Sequence, residues 1–285
     1  MLFKDIRDYQ ILFLSLFLIL GIGTRDWTLR PDIIIIAIAT CLITQWLAER
    51  AAPILPHIQP NTHPQKFHSL RSAVITSLSL CLLLRTENYT TMILAASLAI
   101  LSKFIFQINR KHFFNPSNFG IIVAITFTNN AWVSPGQWGE DWWYALLFVG
   151  AGGLILNRIG RWDTTAAFLG SYAFLEAIRN LWLGWTWDVY FHRLMSGSLL
   201  LFALFMITDP RSIPNAKISR LIWAIAIAIL TFILRNYFYL STAVFWALFA
   251  LSPLTIILDY LWKSPRFSWF LFRTSVLPFT KTQPI

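Results

Sequence analysis

Long apolar runs separated by short polar breaks dominate the pattern of this chain. Such runs cover residues 10–24, 31–48, 70–84, 89–106, 117–130, 142–158, 164–182, 191–208, 219–237 and 240–261. The runs are continuous and do not alternate with polar residues, which favours helices over a β-barrel. Because a helix that crosses a bilayer needs about 20 mostly apolar residues, we predict an all-α polytopic membrane protein with about ten transmembrane helices. We expect a single integral membrane domain over residues 1–285.

The composition agrees with a membrane protein. Apolar residues make up 56% of the chain and charged residues only 13%, whereas an average soluble domain carries about 25% charged residues. This balance excludes a soluble enzyme and a disordered chain, and two cysteines are too few for a disulfide scaffold. Cys41 and Cys81 fall within predicted helices, where we expect reduced, apolar side chains.

The distribution of Lys and Arg predicts the orientation in the membrane. With ten spans, all but six of the 23 basic residues lie on the side that also holds both termini; the six are Arg25, Arg30, Arg85, Arg179, Arg193 and Arg235. Basic loops stay in the cytoplasm, so we predict cytoplasmic N- and C-termini in a bacterial-type plasma (inner) membrane. Contact between these loops and anionic lipid headgroups accounts for the net charge of +10, and we expect no nucleic acid as a partner.

Two cytoplasmic segments lie outside the predicted spans, a loop over residues 53–69 that contains prolines and histidines, and a tail over residues 262–285. His57, His63 and His68 lie in the loop without a neighbouring cysteine or carboxylate, so we interpret them as solvated side chains and predict no metal site. The sequence contains no glycine-rich phosphate loop and no HExxH, CxxC or GxSxG motif, which leaves no support for nucleotide, zinc or hydrolase chemistry.

Polar residues at the ends of the apolar runs are the candidate functional positions, because such groups in a membrane protein usually face a cavity or a partner. Asn115 is placed to cap a helix that begins at Pro116, and Asn118 follows one turn later. Asp209 ends the eighth run on the same cytoplasmic side. We therefore predict that Asn115 and Asp209 share a depth and a face, although ordinary helix-end chemistry would also explain both residues.

Polar residues also occur towards the opposite side of the membrane. The loop around Glu140 carries carboxylates but no Lys or Arg, and Gly136 and Gly139 precede the glutamate. Glu176 lies within the seventh run with Arg179 three residues later, a spacing that predicts a local ion pair.

The third and eighth runs resemble each other. Each begins with small residues, continues with an apolar middle and ends on a polar or acidic residue. Five spans separate them, so they lie in opposite orientations, and inverted repeats often place a binding site at the interface between the repeats.

At these breaks the chain resembles the RnfD/NqrB family, which comprises membrane subunits of ion-pumping ferredoxin:NAD and NADH:quinone oxidoreductase complexes. Lys103 followed by His112-Phe113-Phe114-Asn115-Pro116 is similar to the family's lysine and FNPA segment, and Gly136-Gln137-Trp138-Gly139-Glu140 is similar to its GSxGE loop. FMITDPRSIP, residues 205–214, is similar to its FFMATDPVTSP segment. The resemblance runs roughly from residue 69 to residue 260. It implies ten helices in two inverted halves, akin to the urea-channel architecture.

The resemblance also implies a flavin that is attached through its phosphate to the threonine of an SGAT motif, between the FNPA and GSxGE segments. Residues 117–135 fill that interval here without an SGAT, and Ser196-Gly197-Ser198 lies too late in the chain to replace it. We therefore predict that no flavin is attached covalently. Without a bound cofactor the chain has no one-electron chemistry of its own.

The leading hypothesis is a flavin-free transport protein of the RnfD/NqrB type, which gives an ion or small solute a path between its two halves. The residues expected along this path are Lys103, Asn115, Asn118 and Asp209 at the cytoplasmic end, and Gly136, Gly139 and Glu140 at the outer mouth. The alternative is a membrane subunit of an electron-transport complex that has other membrane subunits as partners and binds a flavin or quinone non-covalently. A scaffold subunit without a site is the third hypothesis, and catalysis by the chain alone has the least support.

Overall fold

Helices form most of the part of the chain that the computed structural model describes, which is residues 5–25, 30–51, 66–135 and 143–267. The α-helices in these ranges are α1 Ile6–Arg25, α2 Pro31–Ala51, α3 Lys66–Leu83, α4 Tyr89–Ile105, α5 Pro116–Phe127, α6 Trp143–Ile159, α7 Trp162–Trp182, α8 Trp187–Leu194, α9 Gly197–Leu201, α10 Lys217–Asn236, α11 Ala243–Leu251 and α12 Leu254–Leu261. A π-helical turn, Phe202–Met206, continues α9. The predominantly helical fold agrees with the prediction from the apolar runs.

Each predicted run coincides with a helix or with a broken series of helices. Among the described residues, α1, α2 and α10 are long and apolar enough to cross a membrane. The pair α11 and α12 adds a fourth span when the two are counted together across their 48° bend. Five shorter apolar helices have 10–17 residues. α7 has 21 residues but is not among the described helices that are apolar enough to cross a membrane, so ten spans in two inverted halves stay a prediction.

Two of the predicted runs are interrupted. Between α8 and α9 the chain leaves the helical ladder because the Ser196 hydroxyl and the Ser198 N–H both donate to the Pro135 carbonyl, at 2.8 and 3.1 Å. Between α11 and α12 the interruption falls at Pro253, which has no N–H to continue the ladder. Neither the eighth nor the tenth run is therefore one continuous helix.

Within the described ranges, two small antiparallel sheets accompany the helices, and the apolar pattern does not reveal them because their strands are only two or three residues long. β1 Leu84–Thr86 pairs with β4 Ala131–Val133, and β2 Gln107–Ile108 pairs with β3 Lys111–His112. The turn between β2 and β3 consists of Asn109 and Arg110, with φ of 53° and 64°. Positive φ at both central residues is what a two-residue type I′ hairpin requires.

Close packing between α4 and α5 depends on Gly120. A Cβ at this position would lie 2.6 Å from the Ala95 carbonyl oxygen and 2.9 Å from the Ala99 Cβ. These two helices are joined by the β2–β3 hairpin, so the last turn of α4 and the first turn of α5 lie together. α5 also contacts α3 and α11, while α7 packs along α10.

Cys41 and Cys81 are buried free thiols, as expected.

The two predicted cytoplasmic segments lie mostly outside the described residues. In the predicted loop 53–69, residues 52–65 and with them His57 and His63 lie outside the described residues, and α3 begins at Lys66. The tail beyond residue 267 also lies outside them.

Candidate functional site

The start of α5 is fixed by its own sequence. Pro116 occupies the first turn, where a missing N–H costs no hydrogen bond, and Asn115 Oδ1 accepts from the Asn118 N–H at 3.1 Å. The predicted helix cap is therefore confirmed. The Asn115 Nδ2 donates to the Met206 carbonyl at 3.2 Å, so the buried amide also joins α5 to the end of the π-helical turn.

The π-helical turn places carbonyl groups where other elements can reach them. Within it the Ile207 N–H bonds to the Phe202 carbonyl, five residues back, at 2.9 Å. The Ala203 carbonyl accepts from the Thr165 hydroxyl of α7 at 2.6 Å. Single π-turns inside helices often mark functional sites, and nothing in the apolar run that contains this one predicts it.

Asp209 follows this turn and is held from two sides. Its Oδ1 accepts from the Arg211 N–H at 3.1 Å, and its Oδ2 lies 3.6 Å from Nε2 of His112, which the β2–β3 hairpin brings there. Burial lowers the pKa of His112 below its ordinary value, so this imidazole is neutral at pH 7. Burial alone would raise the pKa of Asp209, but the contacts with His112 and Arg211 hold it below its ordinary value, and the carboxyl group is ionised.

Asn115 and Asp209 line one cavity of about 180 Å³. Its walls come from the ends of α1, α4, α5 and α6, from the middle of α3, from the hairpin, and from the segment around the π-helical turn. Among the described residues, the charged lining consists of the four cationic side chains Arg7, Lys103, Arg110 and Arg211 and the single carboxylate of Asp209. The cavity therefore has a positive electrostatic character.

Lys103 reaches this cavity from the last turn of α4. Its Nζ lies 3.1 Å from the Ser72 Oγ and 3.4 Å from the Ser72 carbonyl oxygen, so its hydrogen-bond partners among the described residues are neutral. Arg7 is different, because it forms an ion pair with Asp5 at 2.5 Å. Lys103 therefore adds a positive charge to the cavity wall. None of its hydrogen-bond partners among the described residues is a carboxylate.

Asn118, the other predicted residue of the cytoplasmic end, does not line this cavity. Asn118 is 1% exposed, and its Nδ2 donates to the Phe245 carbonyl at 3.1 Å, which ties α5 to α11. Gly136, Gly139 and Glu140 lie outside the described residues.

A chain of polar contacts holds the hairpin against the helices behind the cavity. Lys111 pairs with Asp259 at 2.5 Å, and Asp259 accepts from the Asn215 N–H at 2.8 Å. The Asn215 carbonyl accepts from Arg220 at 2.6 Å, and Arg220 pairs with Asp163 at 2.6 Å. Sequence reasoning missed this network because its members come from four separate parts of the chain.

A second buried network lies towards the other end of α7. The predicted pairing of Glu176 with Arg179 is replaced by contacts with Arg193 at 3.2 Å and with the Asn236 Nδ2 at 2.7 Å. Glu176 lies on the face of α7 that packs against α10, whereas the Arg179 guanidinium lies 4.6 Å from the Trp185 ring. The spacing of three residues between Glu176 and Arg179 therefore did not determine the ion-pair partner of Glu176.

An open cleft of about 450 Å³ lies on the far side of the hairpin, between it and α12. Its lining includes the aromatic side chains of Phe113 and Tyr260 and the cationic side chains of Lys111, Lys263 and Arg266. Arg266 donates to the Asn109 carbonyl, which connects the cleft to the hairpin turn.

Comparison with known proteins identifies relatives over part of the chain. Residues 128–268 match the model of the NQR2, RnfD, RnfE family. This range contains the loop around Glu140 and the segment around Asp209, and it begins after Asn115.

Three relatives are each named as a subunit of an ion-translocating oxidoreductase complex. The protein from Actinobacillus pleuropneumoniae serotype 5b is 33% identical over 104 residues, which is 36% of this chain and 30% of the relative. The Vibrio vulnificus YJ016 protein is 32% identical over 131 residues, 45% of this chain and 36% of the relative. The Halorhodospira halophila protein is 27% identical over 135 residues, 47% of this chain and 37% of the relative. The chain thus spans between 30% and 37% of the length of these relatives. Over residues 128–268, this chain belongs to the NQR2, RnfD, RnfE family.

Proposed function

We propose that this chain is a membrane subunit of an ion-translocating oxidoreductase complex and that it provides a path for an ion or small solute. The observation that carries the proposal is the convergence of Lys103, Asn115 and Asp209 on one cavity from distant parts of the sequence. The named relatives support membership of such a complex, with other membrane subunits as partners.

The size of this cavity favours a small solute over a cofactor. Its volume of about 180 Å³ is below the range of roughly 300–1,000 Å³ that is typical of sites for larger ligands. A flavin ring system does not fit such a space, whereas an ion with a few waters does.

The proposed path crosses a bilayer that holds ten helices in two inverted halves, with both termini in the cytoplasm of a bacterial inner membrane. In this arrangement the cavity of about 180 Å³ that Lys103, Asn115 and Asp209 line, called the Lys103 cavity from here on, forms the cytoplasmic end of the path. Gly136, Gly139 and Glu140 form its outer mouth. Support comes from the apolar helices and from the asymmetric distribution of basic residues.

Flux into proteoliposomes tests this proposal. We expect the flux of the transported solute to fall with Asp209→Asn, which removes the charge but keeps the shape of the side chain. Asn115→Asp keeps the capping oxygen of α5 but loses the amide that donates to Met206, so it should also reduce flux. Asp188→Asn, on the exposed helix α8, is the matched control. Unchanged flux in a double variant of residues 115 and 209 that unfolds at the wild-type temperature would contradict the proposal.

A second function, an electron-carrying subunit with a non-covalent flavin or quinone, is favoured by the cleft beside α12. Its volume of about 450 Å³ lies within the ligand-site range. Aromatic and cationic side chains line it together, and the one carboxylate in its described lining, Asp259, is paired with Lys111. This combination suits a ring with an anionic substituent. Purified protein without visible absorption, from which denaturation releases neither flavin nor quinone, would eliminate this function.

A further inference from the structure

The charge at the Lys103 cavity points to the sign of the species it holds. Cationic side chains outnumber carboxylates among the described lining residues. Asp5, just before α1, pairs with Arg7 at 2.5 Å and offsets its charge, and Asp8 on α1 pairs with Arg71 at 2.6 Å. Lys103, Arg110 and Arg211 still outnumber the carboxylate of Asp209. A cation entering this space would meet net repulsion, whereas an anion would be attracted.

The hydrogen-bond donors of the cavity have the same preference. The Lys103 ammonium has three donors, and its described partners are two oxygens of Ser72. The first turn of α5 also lines the cavity, through Pro116 and Ser117, and the start of a helix carries partial positive charge. Ammonium and guanidinium donors together form a surface suited to an oxyanion.

We infer that the cavity binds a small oxyanion, of the size of formate, nitrate or acetate, through Lys103 and Arg211. This inference rests on the proposed function, because it names the solute that the path carries. The volume of about 180 Å³ corresponds to about six water molecules at roughly 30 Å³ each, which leaves room for such an anion with part of its hydration shell. Asp209 restricts the anion to the side of the cavity away from its own carboxylate.

Swelling of proteoliposomes tests whether the transported solute is an anion or a cation. In potassium formate with valinomycin, potassium enters freely, so the rate of swelling reports anion entry. In sodium thiocyanate, the lipid-permeant anion enters freely, so the rate reports sodium entry. We expect protein-dependent swelling in the first medium and none in the second. Lys103→Gln should slow the first by about tenfold, the range for losing one charge-assisted hydrogen bond, and Lys103→Arg should restore most of the rate.

A binding measurement separates this inference from the proposed function. An anion that binds the folded protein raises its unfolding temperature. At constant ionic strength, we expect replacement of gluconate by formate to raise the unfolding temperature of the wild type and of Lys217→Gln. That control removes a lysine from the exposed start of α10. Lys103→Gln should show no rise.

The outcomes are distinct. If neither medium causes swelling but formate stabilises the wild type and not Lys103→Gln, the anion site stands and the transport function fails. Protein-dependent swelling in sodium thiocyanate that Lys103→Gln does not slow overturns the inference and leaves a cation path. The absence of both swelling and stabilisation by formate overturns the inference and the proposed function together.

Discussion

Removing either charge of the buried Asp163–Arg220 pair should destabilise the protein strongly, and removing both should cost much less. The two residues are 6% and 5% exposed, and Arg220 Nη2 lies 2.6 Å from Asp163 Oδ2. Asp163 Oδ1 also accepts from the Thr164 N–H at 2.9 Å, and Arg220 donates to the Asn215 carbonyl at 2.6 Å. The pair thus joins the starts of α7 and α10 to the contacts that hold the β2–β3 hairpin.

The magnitude follows from what each change leaves behind. Asp163→Asn keeps an oxygen for the Thr164 N–H but leaves the Arg220 charge buried without its partner, which costs about 3–5 kcal/mol. Arg220→Met leaves the opposite charge and also frees the Asn215 carbonyl, so a similar or larger loss is expected. In the double variant only the lost hydrogen bonds remain, at about 1–3 kcal/mol.

The assay is a double-mutant cycle of unfolding free energies in detergent micelles, followed by the fluorescence of the 14 tryptophans. The reasoning requires a coupling free energy of at least about 2 kcal/mol between the two positions. It is refuted if Asp163→Asn costs less than about 1 kcal/mol, the scale of an exposed pair, or if the losses of the two single variants simply add.

Two further predictions concern the walls of the cavity, and a third concerns the packing of α4 against α5. Burial lowers the pKa of His112 in the folded state, so stability should fall as the pH drops through the ordinary value of 6.5, and His112→Gln should flatten this slope between pH 7 and pH 5 in thermal unfolding. Arg110 has a φ of 64°, so Arg110→Gly should raise the unfolding free energy by about 1 kcal/mol while it slows solute flux, and unchanged flux would contradict its place in the cavity wall. Gly120→Ala gains about 1 kcal/mol of helix propensity but meets the Ala95 carbonyl at 2.6 Å, which costs about 1–3 kcal/mol. We expect a net loss of stability for Gly120→Ala, and a higher unfolding temperature would show that α4 and α5 can move apart.

The parts of the site that sequence reasoning predicted are those with local causes. Asn115 and Pro116 form a helix start from adjacent residues, so their roles could be identified without knowledge of the fold. Asn118 seemed equally suited to a path, but its partner Phe245 lies 127 residues away, and that contact turns its amide towards α11.

Features that depend on distant partners could not be predicted. His112 meets Asp209 only because a two-residue turn folds β3 back on β2. The break before α9 likewise needs the Pro135 carbonyl, which lies 61 residues from Ser196. Sequence reasoning placed Lys103 along the path, but it assigned Arg7, Arg110 and Arg211 only to cytoplasmic basic loops. Neither charge counts nor apolar runs indicate which basic residues converge.

The π-helical turn determines the direction in which the side chains of the following residues point. One extra residue in a turn rotates the downstream side chains by about 100° relative to a regular α-helix. Asp209 lies three residues beyond the turn, so its aim towards His112 depends on this inserted residue. Deleting Ala203, which is not among the residues that line the cavity, would regularise the helix and point the carboxylate elsewhere without removing any cavity residue.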